Sequence, residues 1–217
     1  MKTIKIISYF IGASLIITLA LSAINILQNG FGYQGGAPSD ILGKDPGLAT
    51  PDDITKLSKS EFRQLFHALD APAFPELKGE YRAMNLPVGI MAAMVDFYTD
   101  HFFGPGRWVG KAFFPFSGSG GWGYNLFVQT SSDGKPVINR SRKMNTTVGP
   151  SAYDAKYAFL IEYAAHNGGI VHTMRDELRR VNDRLYIGYG SLGIGGGSLN
   201  PSPFIVYGKP TAWAGMQ

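Results

Sequence analysis

Hydrophobic positions fall into three successive patterns along the chain. From Ile6 to Leu27 they run on almost without interruption, and IISYFIGASLIITLALSAINIL contains no charged residue. A helix over those 22 residues rises about 33 Å, against a bilayer hydrocarbon core of about 30 Å. This predicts one membrane-spanning helix. Next, spacings of three and four predict helices. Thr50-Pro51-Asp52-Asp53 reads as a helix opening, and Ser58 with Glu61 forms a capping box ahead of Phe62, Leu65, Phe66 and Leu69. Pro87 then begins a segment with Val88, Met91, Ala92, Val95 and Tyr98 on one face. From Arg107 the runs become short, aromatic and β-branched. Strands are predicted over 107–116, 123–130, 137–147, 155–164, 170–181, 185–189 and 204–207, with glycine, Asp-Gly and Asn-Gly breaks between them. The fold expected is mainly β: an antiparallel barrel preceded by two short helices and one N-terminal transmembrane helix.

Two stretches interrupt these patterns. Residues 28–49 hold six glycines and two prolines and predict a linker without regular structure. Residues 71–86, APAFPELKGEYRAMNL, read as irregular. The division expected is therefore a transmembrane anchor (1–27), a linker (28–49), and helices plus barrel (50–217).

Charge orients the first segment. Lys2 and Lys5 precede the apolar run, and the next charges are Asp40 and Lys44. The positive-inside rule puts the N-terminus in the cytoplasm and the barrel on the periplasmic or extracellular side. A cleaved signal peptide competes, since Ala20, Ser22 and Ala23 are small enough for a peptidase. A signal core is about 7–15 residues, shorter than this run, which favours a retained anchor. Both readings export the domain.

Composition narrows the chemistry. With 28 glycines and 13% aromatic residues, short strands and tight turns suit the chain better than a helical bundle. There is no cysteine, which excludes disulfides, thiolate metal sites and a cysteine nucleophile. The net charge of +4 is small. Lys135, Arg140, Arg142 and Lys143 form the only basic cluster ahead of the arginine-rich 175–184 segment, too sparse for a nucleic-acid partner. His67, His101, His166 and His172 show no metal-binding spacing, and no metal site or cofactor can be named. Gly118–Gly123 lacks the helix and the Lys-Ser/Thr of a phosphate loop. His172 and Glu162 form the one candidate general-base pair. No catalytic set is assigned.

The segment Gly106-Arg107-Trp108-Val109-Gly110-Lys111-Ala112-Phe113 resembles the G-x-W-x-G element of some bacterial calycin-like domains of unknown function, and its G-x-W part resembles the first lipocalin strand. Arg175–Asp183 before Leu185-Tyr186-Ile187-Gly188 resembles the late hairpin of such domains. The resemblance spans about residues 104–190. It implies a small closed barrel with an apolar interior, and an arginine (Arg179 or Arg180) against Trp108; it implies no reaction.

Along strand 170–181, Arg175, Glu177 and Arg179 point one way, and Asp176 and Arg180 the other. One set should face inward, and an inward charge needs a partner. Arg140, Arg142 and Glu162 are candidates to complete such a network and hold a carboxylate or phosphate head group. Trp108, Phe113, Phe127, Phe159, Tyr163, Met174 and Tyr186 supply the apolar wall. The leading expectation is a membrane-anchored extracytoplasmic barrel that binds a lipid, pigment or similar apolar molecule. An accessory subunit of a larger membrane complex is the alternative. There, Gly12, Ala13, Ser14, Ala20 and Ala23 allow close helix packing. The third is an enzyme on a hydrophobic substrate using His172, Glu162, Asp176 or Arg175.

Overall fold

The computed structural model describes residues 2–116, 118 and 120–216, with side chains from Gly12 onward. Eight strands form one closed antiparallel barrel in chain order: β1 Gly79–Asn85, β2 Arg107–Pro115, β3 Gly120–Thr130, β4 Pro136–Pro150, β5 Tyr157–Glu162, β6 Met174–Asn182, β7 Leu185–Leu192 and β8 Ser202–Thr211. Each strand pairs with its sequence neighbours, and β8 pairs with β1, so no sheet edge is left open.

The closing strand is a correction to the irregular reading of 71–86. β1 carries Tyr81 and Ala83 into the interior, while Arg82 between them is exposed. That is ordinary alternation, compressed into seven residues that also hold a glycine and two charges. Two further differences concern helices. Residues 28–49 contain α2 (Pro38–Leu42) and a 3₁₀ turn (Pro46–Leu48), whose Ile41, Leu42 and Ala49 pack on the barrel's outer layer. Residues Gly169–Thr173, expected to begin a strand, form a 3₁₀ turn that ends where β6 starts.

Period-two alternation sorts the barrel side chains into an inner and an outer layer. Inside, Phe113, Phe127, Phe159, Ile161, Leu178, Tyr186 and Val206 interlock, with Phe74 stacked on Phe159 at 5.5 Å. Outside, Ile187, Tyr189 and Ile205 are covered by Phe62, Leu65 and Phe66 of α4 (Lys59–Ala68). α4 starts at the expected capping box, where the Ser58 and Glu61 side chains exchange bonds with each other's backbone N–H. The preceding α3 (Pro51–Thr55) opens with the analogous Thr50–Asp53 box. Burying each large apolar side chain contributes roughly 1.5–3 kcal/mol, so this second layer fastens the helices to the barrel wall.

Helix α1 spans Lys2–Leu27 and α5 spans Ala92–His101. The last turns of α1 stand on one end of the barrel. Asn25 donates to Asn200 Oδ1 at 2.6 Å, Lys59 Nζ donates to the Asn25 carbonyl at 2.8 Å, and the Ile90 N–H donates to Gln28 Oε1 at 2.9 Å. Upstream, Leu15, Ile16, Ile17 and Leu19 are exposed. Among the described residues no helix is long and apolar enough to cross a membrane. The expected span begins at Ile6, and the side chains of residues 6–11 lie outside that description.

Candidate functional site: a buried ion pair at the inner end of an apolar cavity

Beneath α5, at the end of the barrel where α1 stands, lies a cavity of about 250 Å³. Met91, Val95 and Tyr98 roof it, Met174 and Phe204 line its sides, and Trp108, Lys111 and Asp176 reach it from inside the barrel. Elsewhere in the interior the core side chains pack against one another.

Lys111 and Asp176 form the chemical centre of this cavity, each 2% exposed. The Lys111 ammonium donates to Asp176 Oδ2 at 2.7 Å, to the Tyr163 hydroxyl at 2.6 Å and to Asn125 Oδ1 at 3.0 Å. Tyr163 in turn donates to Asp176 Oδ2 at 2.9 Å. Trp108 Nε1 donates to Asn125 Oδ1 at 3.0 Å. The ammonium also lies 5.2 Å from the Trp108 ring centroid and 5.3 Å from that of Phe204, within cation–π range. Burial pulls the Lys111 pKa down, and the Asp176 charge beside it opposes that shift. Burial and the Asp176 charge push the Tyr163 phenol well up, so it stays protonated as a donor.

Backbone irregularities aim these groups. Trp108 pairs with Phe127, and Gly110 pairs with Leu126, so Val109 is an extra residue that bulges out of β2. Strict alternation from Trp108 would send Lys111 to the outer face. The bulge lets Trp108, Lys111 and Phe113 all point inward. Opposite Lys111 in the register sits Asn125. A second irregularity in β4 puts Arg142 at φ 58, and its carbonyl accepts from Asn125 Nδ2 at 3.3 Å. That contact fixes which way the amide faces. Asp176 turns inward by simple alternation in β6, directly opposite Gly190 of β7.

The expected site residues divide accordingly. Trp108 and Met174 line the cavity, and Tyr163 joins the polar network. Phe113, Phe127, Phe159 and Tyr186 belong to the packed core and do not line it. The arginine expected over Trp108 is a correction. Arg179, 0% exposed, lies on the outer face with its guanidinium 4.6 Å from the Phe66 ring and donates to Asp154 at 2.6 Å. Arg180 is exposed and pairs with Glu76. The cation against Trp108 is Lys111, from the same strand.

Nor do the other charges converge on a head-group site. Arg140 pairs with Glu80, and Arg142 donates to the Phe103 carbonyl. Arg175 donates to the Pro150 carbonyl and pairs with Glu177, which accepts from Ser151 and Ala152 of the β4–β5 connection. Glu162 is exposed, as is His172, whose Nδ1 faces the Ala164 carbonyl. Lys111 and Asn125 escaped the sequence reading. The only signal for them was Val109-Gly110, a dipeptide that could bulge between two inward residues.

A second cavity of about 240 Å³ lies on the outer layer, between the end of α1, α4 and β7. His67 is there, its Nδ1 2.7 Å from Asp154 and its Nε2 accepting from Arg63 Nε at 3.3 Å. Arg63 thus places the ring hydrogen on Nδ1, and both ring nitrogens are engaged. Among the described residues, no three histidine, cysteine or acidic side chains lie close enough together to hold a metal.

No family model matches the chain, and no curated protein matches it. Among solved structures, a protein from Thermomonospora curvata is similar at 16% identity over 70% of this chain and 88% of its own, with a TM-score of 0.48. A redesigned beta barrel is similar at 15% identity over 64% of this chain and 96% of its own, with a TM-score of 0.33.

Proposed function

We propose that this chain is a membrane-tethered, calycin-like barrel that holds one small apolar molecule in the cavity between α5 and the Lys111–Asp176 pair. The observation that carries the reading is the cavity itself: about 250 Å³, apolar along its sides, with a buried ion pair at its inner end. Such a pocket with a few convergent polar groups is the usual form of a ligand site. For scale, an apolar cavity of about 150 Å³ accepts benzene, so a ring with a short chain fits here. A buried pair held only for stability is a poor investment, because apolar side chains of equal volume are often as stable.

Tethering is supported by the placement of α1. Its charge-free run ends on the cavity's end of the barrel, and Asn25 itself lines the cavity. Met94, which lines the cavity, and Phe97 of the same helix are exposed, as are Phe102 at the helix's C-cap and Ile194 beside the cavity-lining Gly195. Soluble surfaces rarely gather apolar side chains in this way. With α1 in the bilayer, the cavity lies at the membrane-proximal end, and an apolar molecule exchanges with the lipid without crossing water.

The test is to purify the intact chain in mild detergent and identify its companions by mass spectrometry. One small apolar molecule per chain is expected. A stoichiometric protein partner with an empty cavity would instead support the accessory-subunit reading, in which α1 packs against other helices.

A further inference from the structure

We infer that the molecule held in this cavity carries a neutral hydrogen-bond donor, a hydroxyl on an otherwise apolar body, and that Asp176 Oδ1 receives it. The inference rests on the cavity-binding reading and adds the chemistry of the ligand's polar end.

It follows from counting donors and acceptors at the cavity's inner end. The Lys111 ammonium has three hydrogens, and all three are taken by Asp176, Tyr163 and Asn125. The Tyr163 hydroxyl hydrogen goes to Asp176, and Trp108 Nε1–H goes to Asn125. None of these donors, on Lys111, Tyr163 or Trp108, is left free for an incoming carbonyl or carboxylate. Acceptors are another matter. Both described bonds to Asp176 fall on Oδ2, and Oδ1 takes part in neither. A carboxylate oxygen has more than one lone-pair site and can accept a further hydrogen bond.

The backbone keeps that oxygen approachable. Gly190 lines the cavity opposite Asp176, and a Cβ there would lie 3.1 Å from Oδ1. The missing side chain leaves a donor-sized space against the oxygen. The mouth amides are already engaged, Asn25 with Asn200, and Asn85 with Asp96 and Thr99. Charge points the same way. One ammonium and one carboxylate sum to zero, so an anionic head gains no net attraction and meets Oδ1 as a like charge. This reverses the expectation of an arginine-held carboxylate or phosphate.

Three eight-carbon-class probes of similar size separate the possibilities in isothermal titration of the intact protein in detergent: 1-octanol, its isomer 1-methoxyheptane, which has an acceptor and no donor, and octanoate. Octanol should bind at least tenfold more tightly than either of the others. The ether or octanoate binding as tightly as octanol overturns the donor assignment while leaving the cavity reading intact. No binding of any of the three overturns both. Gly190→Ala places a methyl group beside Oδ1. It should reduce octanol to the affinity of the ether, and full retention of the alcohol preference would overturn the assignment to Oδ1.

Discussion

Lys111 and Asp176 are each nearly enclosed, and each is tolerated only because the other is present. Lys111→Met leaves a buried carboxylate without its cation, and losing one partner of such a pair costs about 3–5 kcal/mol. Urea denaturation should show the corresponding fall in midpoint, and Lys111→Met/Asp176→Leu should recover most of it. A single variant as stable as the parent would remove the ion pair from the account. On the outer layer, burial holds the His67 pKa below the ordinary value of 6.5, with Arg63 and Arg179 adding to the shift and Asp154 opposing it. A histidine more easily protonated when unfolded stabilises the fold fully above that value and loses its contribution as pH falls below it. The denaturation midpoint should therefore drop on acidifying from pH 7 towards 5, less steeply in His67→Gln.

Much of the residue-level picture could be read in advance, and its failures have one cause. Alternation along β6 correctly separated Asp176 from Arg175, Glu177 and Arg179, and required a partner for whichever set faced in. Applied to β2 from Trp108, the same rule would put Lys111 on the outer face, because a bulge shifts the count by one. Arg179 misled for a different reason. Outward-facing on a bare barrel it would be solvated, but α4 covers it and supplies the Phe66 and Leu69 carbonyls as acceptors.

At the scale of elements, the bulge at Val109 decides which face β2 presents. Deleting Val109 leaves Trp108 and Lys111 two positions apart, so plain alternation still turns both inward without the bulge. The deletion should therefore cost less than Lys111→Met, since it keeps the tryptophan and the ion pair facing inward; a loss equal to or larger than that of the point variant would contradict the role assigned to the bulge. Capping boxes made α3 and α4 legible because their signals are local. β1 was hidden because its meaning is not local: GEYRAMN has weak strand propensity, and what makes it a strand is the pair of open edges on β2 and β8 that it completes. The 28–49 segment was hidden likewise, since Ile41 and Ala49 gain order only by packing on the barrel.

At the scale of the whole molecule, three features meet: the apolar helix α1, the exposed apolar side chains Met94 and Phe97 of α5, and the cavity that reaches the Lys111–Asp176 pair. The barrel is closed and its interior carries a packed aromatic core, and the cavity lies at the end under α5. The most direct test is fluorescence titration of the intact protein with N-phenyl-1-naphthylamine, compared with Ser202→Phe, which places a ring in the cavity from β8. The account predicts saturable binding of one dye per chain that is lost in Ser202→Phe while the denaturation midpoint is maintained. Absence of saturable binding, or undiminished binding by the filled variant, would contradict it.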